Sequence, residues 1–502
     1  MSSCEMEKEI AIVGAGISGL LACRHTMEKG FNPVVFEARN GIGGVWSSTI
    51  DSTKLQTPKN YYQFSDLAWP LSVTETFPDQ SQVMDYIKSR VSELADTMHL
   101  PEEPTQKHLA ENDDERMTEN GEEPGNQQIQ ETEQNEVYQV DFVILCIGKF
   151  SDLPNIPHFP QGDGPEVFSG KVIHSMDYAA MNKIQAVEFI KDKRVTVVGS
   201  QKSALDIAAQ VSKTNGVRHP CTLLFRRVHW SGSKNLVRLT FRNPNRFSEL
   251  MIHKPQKGLI LWWLVFLLSP LRWIFTKLVE CYLKWIYPLK KYNMIPDYTF
   301  LKEIYSCMFT ILPDRFYERV EDGSLILKRS QKLCFCTTGV IIDDEVAPLE
   351  TDIVIFATGY KSDEKISNIF ALNYFKKCIT RSSTPFYREC IHPRIPHLAI
   401  IGYSESPATS FTTELRSKWL AHFLAGKFKL PVIKEMEEDA KRWKKCTKKY
   451  SGENYKGACV SVMLQIDCND QLCRDMGCNH KRKKWFLSEI FSPYQPADYA
   501  NV

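Results

Sequence analysis

The sequence has almost no net charge, no CxxC cysteine pair and no apolar run at its N-terminus, and each of these absences excludes a class of protein. Its 502 residues carry a formal net charge of only +2, which gives the whole protein no attraction to nucleic acid or to an anionic surface. The fifteen cysteines include no CxxC pair, and residues 1–8 are too polar and too few for a signal peptide. We therefore expect a cytoplasmic protein with free thiols.

Little in the sequence indicates metal or nucleophilic catalysis. The nearest approach to a metal cluster is formed by Cys468, Cys473, Cys478 and His480. Their spacing does not fit the usual zinc patterns, so we expect loop cysteines and no metal. No Ser-His-Asp or Cys-His constellation is evident. No cysteine lies between Cys23 and Cys146, which argues against the CxxxxC pair of a disulfide reductase.

No uninterrupted apolar run reaches the roughly 20 residues that a membrane span needs. The longest one, residues 259–268, is followed by a proline and several charged residues. We expect an apolar insertion at 258–287 that forms a buried helix or a lid over a substrate channel. Shallow docking of 259–273 on a membrane, with Trp262 and Trp263 at the interface, is the alternative. It would bring the protein to the endoplasmic reticulum membrane.

A strand, a glycine-rich turn, a helix and a second strand follow one another near the N-terminus. The apolar run 9–13 leads into a GxGxxG turn. Gly14 permits the tight turn, Gly16 lets backbone N–H groups approach a pyrophosphate, and Gly19 lets the helix pack on the strand. The second strand ends at Glu37, whose carboxylate can accept hydrogen bonds from ribose hydroxyls. A carboxylate here favours an unphosphorylated ribose, so we predict an FAD site.

A second glycine-rich stretch, residues 41–46, follows this unit and includes Gly44 and Trp46. Glycines here suit a second close pass of the backbone near the cofactor, although a surface turn would look similar. We take Gly44 and Trp46 as candidate FAD contacts.

Mid-chain, a second strand–turn–helix unit begins with the β-branched run 194–198. Its turn keeps Gly199 but has Gln201 and Ala204 in place of the other two glycines. Alanine is an accepted substitute at the third position, whereas glutamine at the second is harder to explain. Ser200 and Ser203 of this turn are candidate cofactor contacts.

The strand at 221–225 that follows this unit ends at Arg226, with Arg227 next to it, and not at an acid. An arginine at that point can pair with a 2′-phosphate. We therefore predict NADPH at the second site. A solvated arginine pair at a strand end is the alternative.

Two further motifs resemble the flavin-containing monooxygenases. Residues 168–178 resemble the family's FxGxxxHxxxY/F motif, and residues 352–360 resemble its strand ending in Ala-Thr-Gly-Tyr. The motifs occur in the family's order over residues 9 to 360. Three shorter stretches, 54–59, 269–273 and 470–475, look like a plant branch of the family that includes the pathogen-induced pipecolate N-hydroxylase type.

The resemblance implies the roles of several residues. It implies that Thr358 and Gly359 bind cofactor and that the motif around His174 supports the NADPH side. Animal and yeast members that resemble this chain carry an asparagine beside the flavin, and the corresponding residue here is Gln56, one methylene longer. We take Gln56 as the catalytic candidate.

The resemblance also implies an α/β fold with two Rossmann-like dinucleotide-binding domains, the NADPH domain inserted into the FAD domain. We expect the FAD domain at 1–165 and 331–450, the NADPH domain at 190–330, and a C-terminal extension at 451–502. Residues 101–136 contain twelve acidic residues and almost nothing apolar, so we expect a disordered or surface loop there.

The implied activity is oxygen transfer from O2, with NADPH as reductant, to a nitrogen- or sulfur-containing small molecule through a C4a-hydroperoxyflavin, and N-hydroxylation is favoured. A Baeyer–Villiger or indole-pyruvate-type oxygenase uses the same cofactors. A catalytically impaired flavin-binding regulatory protein is the alternative from another class, because family members usually have a longer segment near 101–136 and because the second glycine turn is imperfect.

Overall fold

The computed structural model describes residues 8–502 except 93–136, 242–243, 256–257, 344, 346, 381–385, 407–408 and 453–463. The acidic segment predicted as a loop, 101–136, lies outside the described residues.

Strands and helices alternate along much of the described chain. The strands are β1 Glu9–Val13, β2 Asn32–Phe36, β3 Phe142–Leu145, β4 Lys171–His174, β5 Val195–Val198, β6 Cys221–Phe225, β7 Ser231–Gly232, β8 Thr310–Ile311, β9 Leu325–Arg329, β10 Leu333–Cys336, β11 Gly339–Ile342, β12 Leu349–Glu350, β13 Ile353–Phe356 and β14 Leu398–Ile400. The helices are α1 Ile17–Met27, α2 Gln80–Ser92, α3 Ser175–Ala180, α4 Lys183–Ile190, α5 Lys202–Asn215, α6 Lys234–Thr240, α7 Arg246–Leu250, α8 Leu259–Ile286, α9 Phe300–Tyr305, α10 Phe316–Glu321, α11 Ser362–Asn368, α12 Asn373–Thr380, α13 Thr409–Leu424, α14 Ile433–Ser451, α15 Gln465–Asp475 and α16 Phe486–Phe491.

The first sheet has four parallel strands in the order β14-β3-β1-β2. Ile10 of β1 pairs with Pro33 of β2 on one side and with Phe142 of β3 on the other. Proline has no N–H to donate, and it is tolerated here because β2 is an edge strand. Ile12 and Ile144 of the inner strands are completely buried, as expected for a parallel sheet covered on both faces.

The second sheet has five parallel strands in the order β4-β13-β5-β6-β9. All of them lie between β3 and β14 in the chain, so the second domain is inserted into the first. The predicted α/β fold with two Rossmann-like units is confirmed. The expected segment 190–330 leaves out β4 and β13, which belong to this sheet. We therefore propose that the inserted domain runs from β4 to β13, and that the chain returns to the first domain after β13.

The C-terminal residues 464–502 contribute to the core of the first domain. Leu472, Tyr494 and Tyr499 belong to the same buried cluster as Ile12 of β1 and Trp419 of α13. The segment expected as an extension is therefore integral to the first domain over its described part.

The helix α8 contradicts the predicted short, buried insertion helix. It runs unbroken for 28 residues through Pro270, a length of about 42 Å. Proline removes the N–H that would donate to the carbonyl of Phe266, and the hydroxyl of Ser269 donates to that carbonyl instead, at 2.7 Å. This substitute hydrogen bond explains why the helix continues past the proline.

The charged residues of α8 also fail to interrupt it, and two of them bind to the rest of the protein. Arg272 donates to the carbonyl of Met251 at 2.8 Å, and Glu280 accepts from the N–H of Phe300 at 3.0 Å. Most of the apolar side chains lie on the surface, and only 11% of the most apolar 18-residue window is buried. Among the described residues, α8 is the one helix long and apolar enough to cross a membrane by length and composition.

Twelve described cysteines are free thiols, including Cys468, Cys473 and Cys478. Cys307 is disulfide-bonded, so the expectation of free thiols is wrong at that position. Within the described part of the chain, no group of three or more His, Cys, Asp or Glu side chains could hold a metal ion.

Candidate functional site

The first glycine turn closes the end of β1 against the neighbouring strand β3. Gly14 has a φ of +106°, and a Cβ added there would lie 2.6 Å from the carbonyl oxygen of Cys146. A Cβ added at Gly19 would lie 1.7 Å from the carbonyl oxygen of Gly14. Gly16 directly precedes α1. The turn therefore accepts only glycine at 14 and 19, and the first N–H groups of α1, which lack helical partners, suit a phosphate.

Glu37 lies against this turn at the end of β2. Its Oε2 accepts from the N–H of Ala15 at 2.6 Å, and its Oε1 accepts from the N–H of Arg39 at 3.0 Å. The carboxylate is therefore held where Rossmann-like folds bind a ribose. Arg39, which no sequence motif marks, donates to Asp152 at 2.8 Å and to Ser48.

The stretch at 41–46 passes close to the first turn. The N–H of Gly43 donates to the carbonyl of Ala15 at 3.1 Å. Gly44 has a φ of +58°, and a Cβ added there would lie 3.0 Å from the Cα of Gly16. Trp46 donates from Nε1 to the hydroxyl of Tyr62 at 2.6 Å. The close backbone approach at Gly44 is therefore a feature of the fold.

The second glycine turn, at the end of β5, repeats the first with fewer glycines. Gly199 has a φ of +152°, and a Cβ added there would lie 2.4 Å from the carbonyl oxygen of Ala357. The methyl group of Ala204 would be 3.0 Å from such a Cβ, so alanine fits at the third position only because Gly199 has no side chain. Ser200 is half-buried and lines a small pocket, and Ser203 is exposed near the start of α5.

Gln201, in the place of the second glycine, has an extended backbone with a φ of −103°, which any residue can adopt. Its Oε1 accepts from the hydroxyl of Thr310 at 3.3 Å, and its Nε2 is buried without a hydrogen-bond partner. A buried donor without a partner costs about 1–3 kcal/mol. A dinucleotide phosphate in this turn would supply the missing acceptor, so the residue fits such a cofactor.

Gln56 of the first domain reaches β8 of the second domain. Its Oε1 accepts from the N–H of Ile311 at 3.1 Å, and Ile311 follows Thr310 in β8. Because Oε1 is the acceptor in this bond, Nε2 is the group left to donate. The two glutamines, one from each domain, therefore converge on adjacent residues of β8. Sequence spacing carried no signal for this convergence.

A second contact between the domains involves Asp206 of α5. Asp206 accepts from the hydroxyl of Thr53 at 2.9 Å and pairs with Lys202 at 2.6 Å. Burial raises the pKa of Asp206, and these two partners act in the opposite direction. The contact joins the start of α5 to the segment that carries Gln56.

The arginine predicted to bind the 2′-phosphate, Arg226, is exposed at the end of β6. Its backbone carbonyl accepts from Gln331 at 3.0 Å. The neighbouring Arg227 is exposed too, and it lines the same pocket as Ser200. Both arginines are thus exposed, and Arg227 lies beside the second turn.

The motif at 168–178 has structural roles. Phe168 is buried against Phe335, with ring centroids 5.6 Å apart, and a Cβ added at Gly170 would lie 2.4 Å from the carbonyl oxygen of Asp352. His174 accepts at Nδ1 from the N–H of Met176 at 3.1 Å and so caps α3. Burial lowers the pKa of His174, which keeps the ring neutral and able to accept.

Thr358 and Gly359 form the turn after β13. Gly359 has a φ of +82°, and a Cβ added there would meet nothing within 4 Å. The N–H of Asn155 donates to the carbonyl of Gly359 at 2.9 Å. Ala357, which packs on Gly199, begins the same turn, so this turn and the second glycine turn are neighbours.

The comparison with protein families decides the identity. The family model for flavin-binding monooxygenase-like proteins matches residues 7–479. The chain belongs to this family.

Relatives of this monooxygenase span nearly its whole length. The probable flavin-containing monooxygenase 1 of Arabidopsis thaliana is 34% identical over 513 residues, covering 98% of this chain and 96% of that protein. The flavin-containing monooxygenase 3 of Rattus norvegicus is 26% identical over 467 residues, covering 86% and 77%. The resemblance inferred from the motifs, including its plant character, is confirmed.

Solved structures share the fold of the monooxygenase. A steroid monooxygenase bound to NADP superposes with a TM-score of 0.65 at 14% identity, covering 93% of this chain and 98% of that one. The S-allyl-L-cysteine S-oxygenase from Allium sativum gives a TM-score of 0.54 at 18% identity, covering 94% and 89%. Together, the family and the two dinucleotide folds identify an NADPH-dependent flavin monooxygenase with FAD as its second cofactor.

Proposed function

We propose that this monooxygenase uses NADPH and O2 to transfer one oxygen atom to a nitrogen- or sulfur-containing small molecule, with N-hydroxylation as the favoured reaction. The observation that carries the proposal is that Gln56 and Gln201 bind adjacent residues of β8, because these bonds link a segment of the first domain to the second glycine turn. A relative named dimethylaniline monooxygenase (N-oxide-forming) 2, from Mus musculus, is 24% identical over 97% of this chain, which favours nitrogen.

Each glycine turn holds one dinucleotide in this proposal. The FAD contacts are Gly14, Gly16, Gly19, Glu37, Gly44 and Trp46. The NADPH contacts are Gly199, Ser200, Ser203, Arg226, Thr358 and Gly359. A Cβ added at Gly14 or Gly199 would clash with the carbonyl oxygen of Cys146 or Ala357, so both turns need glycine to stay tight. This supports the assignment, as does the N–H-rich start of α1 and α5.

Gln56 acts at the junction in this proposal. The bound flavin and nicotinamide supply the redox chemistry. Gln56 is held by Ile311 with its Nε2 left to donate, so it would offer a fixed hydrogen-bond donor to a flavin bound beside it. A donor fixed before the reaction needs no reorganisation during it.

The substrate class is tested by product analysis. Purified protein with NADPH is incubated with a secondary amine, a thioether and a cyclic ketone, and products heavier by one oxygen are measured by mass spectrometry. We expect the amine to be the best substrate and the thioether second. Oxygenation of the ketone alone would favour a Baeyer–Villiger enzyme instead. Bound flavin that NADPH does not reduce, with no product from any of the three compounds, would favour the regulatory alternative.

We also propose that α8 docks the enzyme on a membrane surface, at the cytoplasmic face of the endoplasmic reticulum. Support comes from the exposure of its apolar residues, such as Trp263 at 56%, because large exposed apolar patches mark interaction surfaces. Flotation with microsomes in high salt is the expected result. Recovery of all protein in the soluble fraction would contradict it.

A further inference from the structure

A second exposed apolar cluster lies near the C-terminus, on the short helix α16. Trp485, Phe486, Leu487 and Phe491 are each more than half exposed, with Trp485 at 78%. Exposed aromatic side chains next to one another are costly in water unless another surface covers them. The described chain covers less than half of each of them.

The segment around α7 joins this cluster to α8. On one side, the ring of Phe247 packs against that of Phe491 at 5.3 Å, and Asn245 donates to the carbonyl of Phe491 at 3.1 Å. On the other side, His253 packs against Trp262 of α8 at 5.7 Å. The two apolar clusters therefore contact the same short segment from its two ends, and we call the exposed parts of α8 and α16 together the docking face.

The charge next to the docking face is positive. The run Lys481, Arg482, Lys483 and Lys484 directly precedes Trp485. Lys483 pairs with Asp498 at 2.7 Å, whereas Lys481 and Lys484 are exposed. Basic residues beside aromatic ones are typical of surfaces that bind anionic lipid headgroups.

The acidic residues of the two helices do not offset this charge. Glu280 is the one acidic residue in α8, and it is buried, with its side chain bound to Phe300 and Lys277. In α16, Glu489 is buried and paired with Arg246. In a symmetric dimer through this face, the basic run of one copy would lie against that of the other and the two would repel each other. Anionic lipid headgroups would attract the run, so an anionic bilayer fits this face better than a second copy does.

The contacts of α8 favour a helix that lies in the plane of the membrane. Its inner face is buried at Val265, Thr276, Val279, Glu280 and Leu283. A spanning orientation would strip these contacts and place Arg272, Lys277, Glu280 and Lys284 in or near hydrocarbon, at a cost for each charge. Lying flat leaves them bound to the protein.

We propose that α8 and α16, with the basic run 481–484, form a monotopic docking face for a bilayer that contains anionic lipids. This proposal rests on the membrane contact proposed above and adds its second element, its lipid class and its orientation.

The test uses the full-length protein and sedimentation with vesicles of phosphatidylcholine alone or with about one phosphatidylserine in three lipids. Wild-type protein is expected to bind the anionic vesicles on the order of tenfold more tightly. Lys481→Gln with Lys484→Gln should remove most of that difference. The matched control, Lys434→Gln with Lys445→Gln on α14, loses the same charge from two exposed lysines and should bind like wild type.

The apolar part is tested with Trp485→Ser and Phe486→Ser together, against Leu71→Ser, which also removes an exposed apolar side chain. The α16 variant should bind both vesicle types several-fold more weakly, and the Leu71 variant should not. Bound FAD and NADPH oxidation in solution should stay at wild-type levels in all variants, which shows that they fold and separates this question from the enzymatic one.

The outcomes separate the two membrane claims. If Trp263→Ser with Leu267→Ser on α8 weakens binding and the α16 and lysine variants do not, the docking face proposed here is wrong and the contact through α8 stands. If wild type binds no vesicles and forms a dimer by light scattering, both fail. Vesicle-bound protein whose 259–286 segment resists protease added from outside, and which alkaline carbonate cannot extract, would contradict the in-plane orientation.

Discussion

At the scale of single residues, the amide of Gln56 has a defined orientation. Its Oε1 is engaged by Ile311, so Nε2 can donate. The variant Gln56→Glu keeps the acceptor and replaces the donor with a carboxylate oxygen. We expect FAD to bind normally and the yield of oxygenated product per NADPH to fall on the order of tenfold or more, with hydrogen peroxide released instead.

The matched variant for this prediction is Gln56→Asn, which keeps the amide and shortens it. It should retain a larger share of product per NADPH than the Glu variant. Equal yields from Gln56→Glu and wild type, measured as product against NADPH consumed, would remove Gln56 from the catalytic site.

Replacing Gln201 should have opposite effects on stability and on the affinity for NADP⁺. Its Nε2 is buried without a partner, so Gln201→Leu should not lower the Tm of the NADP-free protein and is expected to raise it slightly. The same variant should bind NADP⁺ on the order of tenfold more weakly, because the donor for the phosphate is gone. Calorimetric titration of NADP⁺ checks the second part, and wild-type affinity would contradict it. Binding of FAD is the internal control.

Arg226 and Arg227 form a natural pair of test and control. Both are exposed beside the second turn, but only Arg226 is assigned to the 2′-phosphate. Arg226→Ala should raise the KM for NADPH on the order of tenfold, because a charge-assisted hydrogen bond is lost, and should leave the KM for NADH unchanged. Arg227→Ala should leave the KM for both nucleotides unchanged. If Arg227→Ala raises the KM for NADPH and Arg226→Ala does not, Arg227 is the residue that binds the 2′-phosphate.

At the scale of elements, the cap of α3 depends on a neutral imidazole. Nδ1 of His174 accepts from Met176, and protonation would remove that acceptor. Burial lowers the pKa of His174 from its ordinary value of 6.5, so the unfolded chain binds the proton more readily than the folded one. The stabilisation from this group is therefore present above pH 6.5 and is lost as the pH falls below it.

The variants His174→Asn and His174→Ala test this cap by denaturant unfolding. Asparagine caps helices without titrating near neutral pH. The free energy of unfolding of His174→Asn should therefore fall less than that of wild type as the pH drops below 6.5. His174→Ala should lower the free energy of unfolding by about 1 kcal/mol at neutral pH. An unchanged acid profile in the Asn variant would show that other groups dominate.

Helix α8 shows where local sequence rules fall short. Pro270 and the charges after it predict an interruption, but Ser269 satisfies the carbonyl that proline leaves open, and Arg272 and Glu280 bind the protein body. The sequence did predict the apolar character of this region. Its length and exposure depend on contacts with residues 251 and 300, which lie outside the helix.

At the scale of the whole molecule, the parts that could be predicted are those encoded over short distances. The turns at Gly14 and Gly199 follow from a strand, a glycine and a helix within about a dozen residues, and the insertion of one domain into the other follows from the order of the motifs. The binding of Gln56 and Gln201 to adjacent residues of β8 could not be predicted, because that two-residue strand lies more than a hundred residues from either glutamine.

The central claim is that one chain brings NADPH and FAD together to place one oxygen atom from O2 on a small molecule. The most direct measurement is mass spectrometry of the amine product formed under ¹⁸O₂, with NADPH consumption recorded in the same reaction and NADH as the control reductant. We expect one ¹⁸O atom in each product molecule, and far faster turnover with NADPH than with NADH. Product oxygen that comes from water, or equal turnover with both nucleotides, would contradict the account.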